Sequence, residues 1–121
     1  MKILILEDDL VRQKEFKNNL SKHDITIVDS SKEAIKELKS NKWWILFLDH
    51  DLGGQVSVPS GENTGYEVAK FLEENKEYIP TYVIVHSLNP AGAKNILAAL
   101  PKAIQIPFAW TKKELMKIGL I

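Results

Sequence analysis

The sequence has no cysteine, no long apolar run and no excess of either charge, and each absence excludes a class of protein. Without cysteine the 121-residue chain forms no disulfide and no thiolate metal site, which favours a reducing, cytoplasmic setting. The longest apolar run, Trp43 to Leu48, is far shorter than the ~20 residues that a membrane helix needs. The N-terminal apolar stretch is also too short for a signal peptide. We therefore expect no membrane association.

The charges of the chain balance, with 16 Lys and Arg residues against 16 Asp and Glu residues. A protein that binds the phosphate backbone of duplex DNA normally carries a basic excess. Duplex DNA binding is therefore not expected. The length fits a single domain, residues 1–121, which is long enough to bury an ordinary hydrophobic core.

Short apolar runs alternate with helical patterns along the chain. Nearly continuous runs of branched residues are typical of strands that are buried on both faces of a parallel sheet. The predicted strands cover residues 2–6, 25–28, 43–48, 81–85 and 103–106. The first helix is predicted over residues 10–20.

Polar residues with capping patterns open the later helices. Ser or Thr followed three residues later by Glu is a capping box, and Asn before Pro is typical of an N-cap with proline at the first helical position. These patterns occur as Ser30 with Glu33, Thr64 with Glu67, Asn89 before Pro90, and Thr111 with Glu114. In the last helix, Leu115 and Ile118 are predicted to face the core.

The order is strand followed by helix, repeated five times. Such alternation predicts a parallel sheet with helices on both faces. The fold class is therefore predicted as α/β, a doubly wound, flavodoxin-like (βα)5 domain with strand order 2-1-3-4-5. Sites in these sheets lie beyond the carboxyl ends of the strands, near the point between strands 1 and 3 where the strand order reverses.

Polar side chains follow three of the predicted strands that are neighbours in this order. They are Glu7, Asp8 and Asp9 after strand 1, Asp49, His50 and Asp51 after strand 3, and His86 and Ser87 after strand 4. Carboxylates brought this close repel each other unless a cation lies between them. Oxygen ligands suit Mg²⁺, and histidine ligands widen the choice to Mn²⁺. The helix N-terminus at Asn89 is a ready anion site, so the set predicts phosphoryl chemistry.

Several of these residues also have a purely structural interpretation. Asp9 is predicted as the N-cap of the first helix, Asp51 also fits the start of a turn, and His86 also fits a core histidine. In an extended chain His50 points away from Asp49 and Asp51, so it reaches the site only if the backbone has already turned. The long loop over residues 50–63 is interpreted as a lid or as a solvated insertion.

These residues resemble the receiver domain of two-component response regulators along nearly the whole chain. The resemblance assigns an acidic pair to Glu7 and Asp8 and the phosphoacceptor to Asp49. It also implies that Asp51 offers its backbone carbonyl to the metal. The remaining matches are the glycine that opens the third helix, the hydroxyl residue after strand 4 and the proline after strand 5, namely Gly65, Ser87 and Pro107.

The sequence also departs from that pattern. Receivers normally carry a lysine before the strand-5 proline, where this chain has Ile106, and Ala103 stands at the position of their switch aromatic. Gly53 stands where a proline is usual, and the loop that follows is longer than usual. The chain resembles a divergent branch of receivers that has been proposed to process cyclic phosphates. The residues that distinguish this branch are His50, Asp51, His86, Ser87 and Asn89.

Two functional hypotheses follow, together with a third in which the domain only binds. In the first, a phosphoesterase acts on a phosphorylated small molecule or an RNA end, with catalytic Asp49, His50, Asp51 and His86. Ser87 and Asn89 then bind phosphate, and Glu7, Asp8, Asp49 and Asp51 hold Mg²⁺ or Mn²⁺. In the second, a histidine kinase phosphorylates Asp49. In the third, the domain binds a metal or a partner without chemistry.

Overall fold

The computed structural model describes residues 2–52, 61–108, 111–117 and 119. The strands are β1 (Lys2–Leu6), β2 (Asp24–Val28), β3 (Ile45–Leu48), β4 (Tyr82–Val85) and β5 (Ile104–Gln105). The helices are α1 (Leu10–Asn19), α2 (Ser31–Ser40), α3 (Gly65–Glu74), α4 (Pro90–Ala99) and α5 (Thr111–Lys117). A 3₁₀ turn, Lys76–Tyr78, follows α3.

The five strands form one parallel sheet in the order β2-β1-β3-β4-β5, which confirms the predicted flavodoxin-like fold. The register aligns Leu6 with Leu48 and Leu48 with Val85. The next residue along each strand is therefore Glu7, Asp49 or His86. The backbone ladder continues to these residues, since Asp49 N donates to Leu6 O at 3.2 Å and His86 N donates to Leu48 O at 3.1 Å.

Alternation along the strands divides the core between the two faces of the sheet. One core cluster joins residues such as Ile5 and Phe47 to Phe16 of α1 and Leu115 of α5. The other joins Leu6 and Leu48, among others, to helices α2, α3 and α4. The same alternation determines toward which face of the sheet the polar residue after each strand points.

Three predicted strands are longer than those observed, and for β4, which begins at Tyr82, the difference is a single residue. β3 begins at Ile45 because Trp43 belongs to the connection from α2, where its indole N–H donates to Glu37 O at 2.9 Å. β5 begins at Ile104 because the backbone N–H of Ala103 donates to Leu100 O and closes the turn after α4.

The predicted capping box at Thr64 is also wrong in its details. α3 begins at Gly65 as expected, but the Thr64 hydroxyl donates to Gly61 O at 2.8 Å rather than capping the helix. Glu67 instead accepts from the backbone N–H of Asn63, which has a φ of 52°. In a capping box Glu67 would accept from the backbone N–H of Thr64. With Asn63 in the left-handed conformation, it accepts from the residue before Thr64 instead.

The starts of α1, α2 and α4 agree with the predictions, whereas the capping box predicted at Thr111 lies outside what the structure describes. Asp9 caps α1, Ser30 caps α2 and Asn89 caps α4, with Pro90 at the first helical position. Residues 53–60 and Ile118 lie outside the described part of the chain. The predictions for Gly53, for a lid and for the orientation of Ile118 fall on these residues. None of the described helices is long and apolar enough to cross a membrane.

Candidate metal and phosphoryl site

Three buried side chains meet where β1, β3 and β4 end. Glu7, Asp49 and His86 each offer a ligand atom, and these atoms lie within 4.8 Å of one another. We call these three residues the carboxylate cluster. The two carboxylates suit Mg²⁺ or Mn²⁺, and an imidazole ligand would favour a transition metal. The strand register brings the cluster together, because each member is the first residue after its strand.

Asp49 has one counter-charge among the described ion pairs, Arg12, whose Nη1 lies 3.8 Å from Asp49 Oδ2. It is 3 % exposed, and burial raises its pKa to about 8, to which the negative charge of Glu7 contributes. The Arg12 guanidinium opposes this rise only in part. A carboxyl group with such a raised pKa keeps its proton near neutral pH until a cation replaces that proton. The cluster therefore has the electrostatics of a cation site.

Glu7 is the most heavily hydrogen-bonded member of the cluster. One carboxylate oxygen accepts from the Asp9 backbone N–H at 3.1 Å, and the other lies 3.0 Å from His86 Nε2 and 3.5 Å from Arg12 Nη1. Burial alone raises the pKa of Glu7, but the hydrogen bonds from His86 and Asp9 and the charge of Arg12 outweigh it and lower the pKa. Glu7 is thus the ionised partner of a protonated Asp49.

His86 is fully buried among aromatic rings. Its ring centroid lies 5.1 Å from that of Phe16 and 6.2 Å from that of Phe47. Burial lowers the pKa of His86, so the imidazole is neutral and donates from Nε2 to Glu7. Nδ1 has no hydrogen-bond partner among the described residues. The structural interpretation of His86 is therefore confirmed, since it packs in the core, and its Nε2 also contacts Glu7.

His50 belongs to a second group of side chains on the other face of the sheet. Its Nδ1 lies 2.7 Å from Asp51 Oδ1, and the Asn89 amide nitrogen lies 3.1 Å from the same oxygen and 3.3 Å from Nδ1. We call His50, Asp51 and Asn89 the α4 network. The imidazole ring packs so closely on α4 that a Cβ at Gly92 would lie 2.3 Å from its Cγ. The two histidines therefore have separate surroundings.

The start of α3 approaches the end of β3 just as closely. The Gly65 backbone N–H donates to His50 O at 3.0 Å, and a Cβ at Gly65 would lie 2.1 Å from Asp49 O. Only glycine permits this approach of one backbone to another. The contact fixes the backbone between Asp49 and His50, so that their side chains enter opposite faces of the sheet.

Ser87 and Asn89 line the turn from β4 into α4. The Ser87 hydroxyl oxygen accepts from the Asn89 backbone N–H at 3.0 Å, which leaves its own proton available as a donor. The side-chain oxygen of Asn89 accepts from Gly92 N at 3.0 Å and caps the helix. Ser87 therefore still has a hydrogen-bond donor to offer, whereas the Asn89 side chain already holds α4.

The remaining predicted residues lie near the carboxylate cluster but outside it. Asp8 is half-buried at the end of β1, and Asp51 is held in the α4 network. Sequence reasoning missed Arg12, whose Nη1 lies 3.8 Å from Asp49 Oδ2. One signal was present, because Arg12 is the single arginine of the chain and follows Glu7 by little more than one helical turn.

The end of β5 supplies no charge at the position that follows Gln105. Ile106 is 4 % exposed and belongs to the core between the sheet and helices α1 and α5. Two residues later, the Phe108 ring faces Arg12, whose guanidinium carbon lies 5.7 Å from the ring centroid. The chain therefore has a buried isoleucine where the sequence pattern of receivers places a lysine, and an aromatic ring beside Arg12 two residues later.

The parallel (βα)5 sheet and the carboxylates at its strand ends define a receiver domain. A family model described as cyclic-phosphate processing receiver domain matches residues 2–102. The chain therefore belongs to the family of cyclic-phosphate processing receiver domains. No curated protein matches the chain.

Solved structures of receiver domains share the fold at low sequence identity. The response regulator TrrA of Thermotoga maritima, in complex with Mg(2+)-BeF, has a TM-score of 0.72 at 18% identity over 99% of this chain and 98% of its own. The phosphorylated cyanobacterial phytochrome response regulator RcpA has a TM-score of 0.74 at 17% identity, with 98% and 88% covered. Vibrio cholerae chemotaxis protein CheY4 has a TM-score of 0.72 at 15% identity, with 98% and 94% covered. These similarities concern the fold alone.

Proposed function

We propose that this receiver domain binds Mg²⁺ or Mn²⁺ and hydrolyses a cyclic phosphoester, carried by a phosphorylated small molecule or by an RNA end. The observation that carries the proposal is the convergence of Glu7, Asp49 and His86 at the strand ends, with the pKa of Asp49 raised to about 8. The description of the family, cyclic-phosphate processing, supports the choice of substrate class.

The cation is assigned to the acidic residues at the ends of β1 and β3. Glu7 and Asp49 provide buried carboxylates, with Asp8 and the backbone carbonyl of Asp51 as the further ligands that the sequence predicts. When bound, the cation withdraws electron density from the phosphoryl group. His86 acts as a positioning residue, because its Nε2 holds the Glu7 carboxylate in place.

Proton transfer is assigned to His50 rather than His86. The contact of Nδ1 with Asp51 Oδ1 at 2.7 Å orients the imidazole ring of His50. His50 takes a proton from water as the water oxygen bonds to phosphorus and the P–O bond of the ring breaks. The imidazolium then returns that proton to the departing oxygen, so that the product is a phosphomonoester with a free hydroxyl.

The phosphoryl oxygens are assigned to the turn before α4. The Ser87 hydroxyl has a proton to donate, and the N-terminus of α4 favours negative charge. Asn89 contributes by holding the first turn of that helix rather than by direct contact.

The test is turnover of 2′,3′-cyclic nucleotides in the presence of Mg²⁺ or Mn²⁺. His50→Ala is expected to lower kcat about 100-fold or more with little change in Mg²⁺ affinity, because it removes the base. His86→Ala is expected to weaken Mg²⁺ binding as well, because Glu7 loses its hydrogen bond. Equal turnover by the wild type and the double variant His50→Ala, His86→Ala would contradict the proposal.

A second candidate function is phosphoacceptance in two-component signalling. The observation that favours it is the buried carboxyl of Asp49 at the end of β3, with the hydroxyl of Ser87 after the neighbouring β4. A histidine kinase would then be the phosphoryl donor and Asp49 the nucleophile. Intact-mass measurement after treatment with acetyl phosphate and Mg²⁺ decides this: an added phosphoryl mass that Asp49→Asn abolishes supports it, and no added mass rejects it.

A further inference from the structure

The chain has a single arginine, and the fold places it at the carboxylate cluster. We propose that the Arg12 guanidinium binds the phosphoryl oxygens of the substrate and so supplies, from α1, the positive charge that β5 does not provide. The inference rests on the phosphoryl site of the proposed function and adds a residue that directly contacts the substrate.

The position of Arg12 is suited to a ligand that bridges the cluster and solvent. Nη1 lies 3.5 Å from Glu7 Oε1 and 3.8 Å from Asp49 Oδ2, and the side chain is 24 % exposed while both carboxylates are buried. Within the described ion pairs, Arg12 is the cation that contacts Asp49. An anion that approaches Asp49 from solvent therefore meets this guanidinium.

The contacts of Arg12 with the carboxylates are those of a weakly engaged counter-ion. Charge-assisted hydrogen bonds between guanidinium and carboxylate normally measure about 2.7–2.9 Å and are often bidentate. Here a single nitrogen, Nη1, lies between two carboxylates at longer distances. The other guanidinium nitrogens donate to no side chain or carbonyl in the described ranges, so they are available to the oxygens of a phosphoryl group.

The surrounding structure holds Arg12 in this position. Its backbone N–H donates to the Asp9 cap at 3.0 Å, which fixes the first turn of α1. The Phe108 ring lies against the guanidinium at 5.7 Å, a cation–π contact that orients a planar group without using its hydrogen bonds. Ile106 is buried in the core, so the connection after β5 contributes this ring and not a charge.

This placement couples phosphoryl binding to cation binding. Without an anion, Arg12 and a divalent cation compete for Glu7 and Asp49, and their like charges repel. A phosphoryl group offers oxygens to both cations and removes that repulsion. Each ligand is therefore expected to increase the affinity for the other.

The experiment uses the single arginine as its own probe. The side-chain ¹⁵N resonances of Arg12 are followed by NMR while inorganic phosphate is added in the presence of Mg²⁺, and phosphate affinity is measured by calorimetry. We expect saturable shifts of the Arg12 resonances in the wild type. Arg12→Gln should weaken phosphate binding about 10- to 100-fold, as loss of a charge-assisted contact predicts, and Arg12→Lys should restore part of it.

Lys14→Gln is the matched control, because it removes the same charge from an exposed position on the same helix. It should leave phosphate affinity unchanged. In the absence of phosphate, Arg12→Gln should bind Mg²⁺ at least as tightly as the wild type does.

The proposal is overturned if phosphate leaves the wild-type Arg12 resonances unmoved, or if Arg12→Gln keeps wild-type phosphate affinity and changes only the melting temperature. The second result would make Arg12 a structural counter-ion. Because the NMR titration uses wild-type protein, it holds even if a variant does not fold. Saturable Arg12 shifts without turnover of cyclic nucleotides would reject hydrolysis but leave this inference standing.

Discussion

The two groups of polar residues at the strand ends differ in how fully their hydrogen bonds and charges are satisfied. In the carboxylate cluster, the pKa of Asp49 is raised to about 8 and His86 Nδ1 has no partner among the described residues. In the α4 network, His50, Asp51 and Asn89 contact one another directly. This difference fits the proposed roles, in which the first group holds the cation and the contacts of the second group orient His50.

The cause of the difference lies in the alternation of the strands. Asp49 continues the alternation of Ile45 and Phe47, and His50 continues that of Leu46 and Leu48. Consecutive residues therefore enter opposite faces of the sheet. Asp49 meets Glu7 from β1 and His86 from β4, while His50 packs on the N-terminus of α4.

The largest effect is expected from Gly92→Ala, which tests the α4 network. A Cβ there would lie 2.3 Å from His50 Cγ in a fully buried position, so helix and ring must separate. We expect a loss of about 3 kcal/mol or more in the free energy of unfolding, measured in urea.

The control for this variant is Gly61→Ala, where an added Cβ meets nothing within 4 Å and little change is expected. Adding His50→Ala to Gly92→Ala should recover much of the stability, because it removes the ring that clashes. If the double variant is no more stable than Gly92→Ala alone, the close packing of His50 on α4 is not the cause.

A smaller effect, opposite in sign, is expected from Asp49→Asn in the metal-free protein. The folded-state pKa of Asp49 is raised to about 8, above its unfolded value near 4. The protonated Asp49 carboxyl therefore contributes its full stability below about pH 4, and this contribution is lost as the pH rises through about 8. We expect Asp49→Asn to be more stable than the wild type at pH 9 by roughly 1–3 kcal/mol, with a smaller difference at pH 5.

Urea unfolding of both proteins at the two pH values, without divalent cations, measures this effect. The same substitution in the exposed Asp24 is the control, and it should not alter the pH dependence. An Asp49→Asn variant that is destabilised at pH 9 would show that the carboxylate is already compensated in the metal-free protein.

The smallest effect is expected from Asn89→Ala, which removes the α4 cap and its contact with Asp51. The loss should be about 1 kcal/mol in the free energy of unfolding, similar to that of Ser30→Ala at the cap of α2. Because the carboxylate cluster lies on the other face, Mg²⁺ affinity should stay within about twofold of the wild-type value. A large loss of Mg²⁺ affinity in Asn89→Ala would show that the two groups act as one site.

The fold follows from the sequence because its apolar runs and cap residues agree with each other. Runs such as Lys2–Leu6 and caps such as Asp9 and Ser30 point to the same alternation of strands and helices. The predictions are wrong where tertiary contacts override local pattern. Trp43 bonds to the end of α2 and Ala103 closes a turn, so neither extends its strand.

From the sequence, only those residues of the site that directly follow the strands are predicted. Glu7, Asp49 and His86 meet because three strands share one register, and that register depends on the packing of the whole sheet. Arg12 comes from a helix, so no strand-end pattern includes it. The separation of His50 from His86 follows from alternation together with the close approach of Gly65, which fixes the backbone at the end of β3.

Calorimetric titration of Mg²⁺ into Glu7→Gln and Asn89→Ala, beside the wild type, tests the central claim most directly. The account predicts that Glu7→Gln loses Mg²⁺ binding by about 10-fold or more, because a buried carboxylate ligand is gone, while Asn89→Ala binds like the wild type. Wild-type Mg²⁺ affinity in Glu7→Gln, or an equal loss in both variants, would contradict the claim that the carboxylate cluster is the cation site.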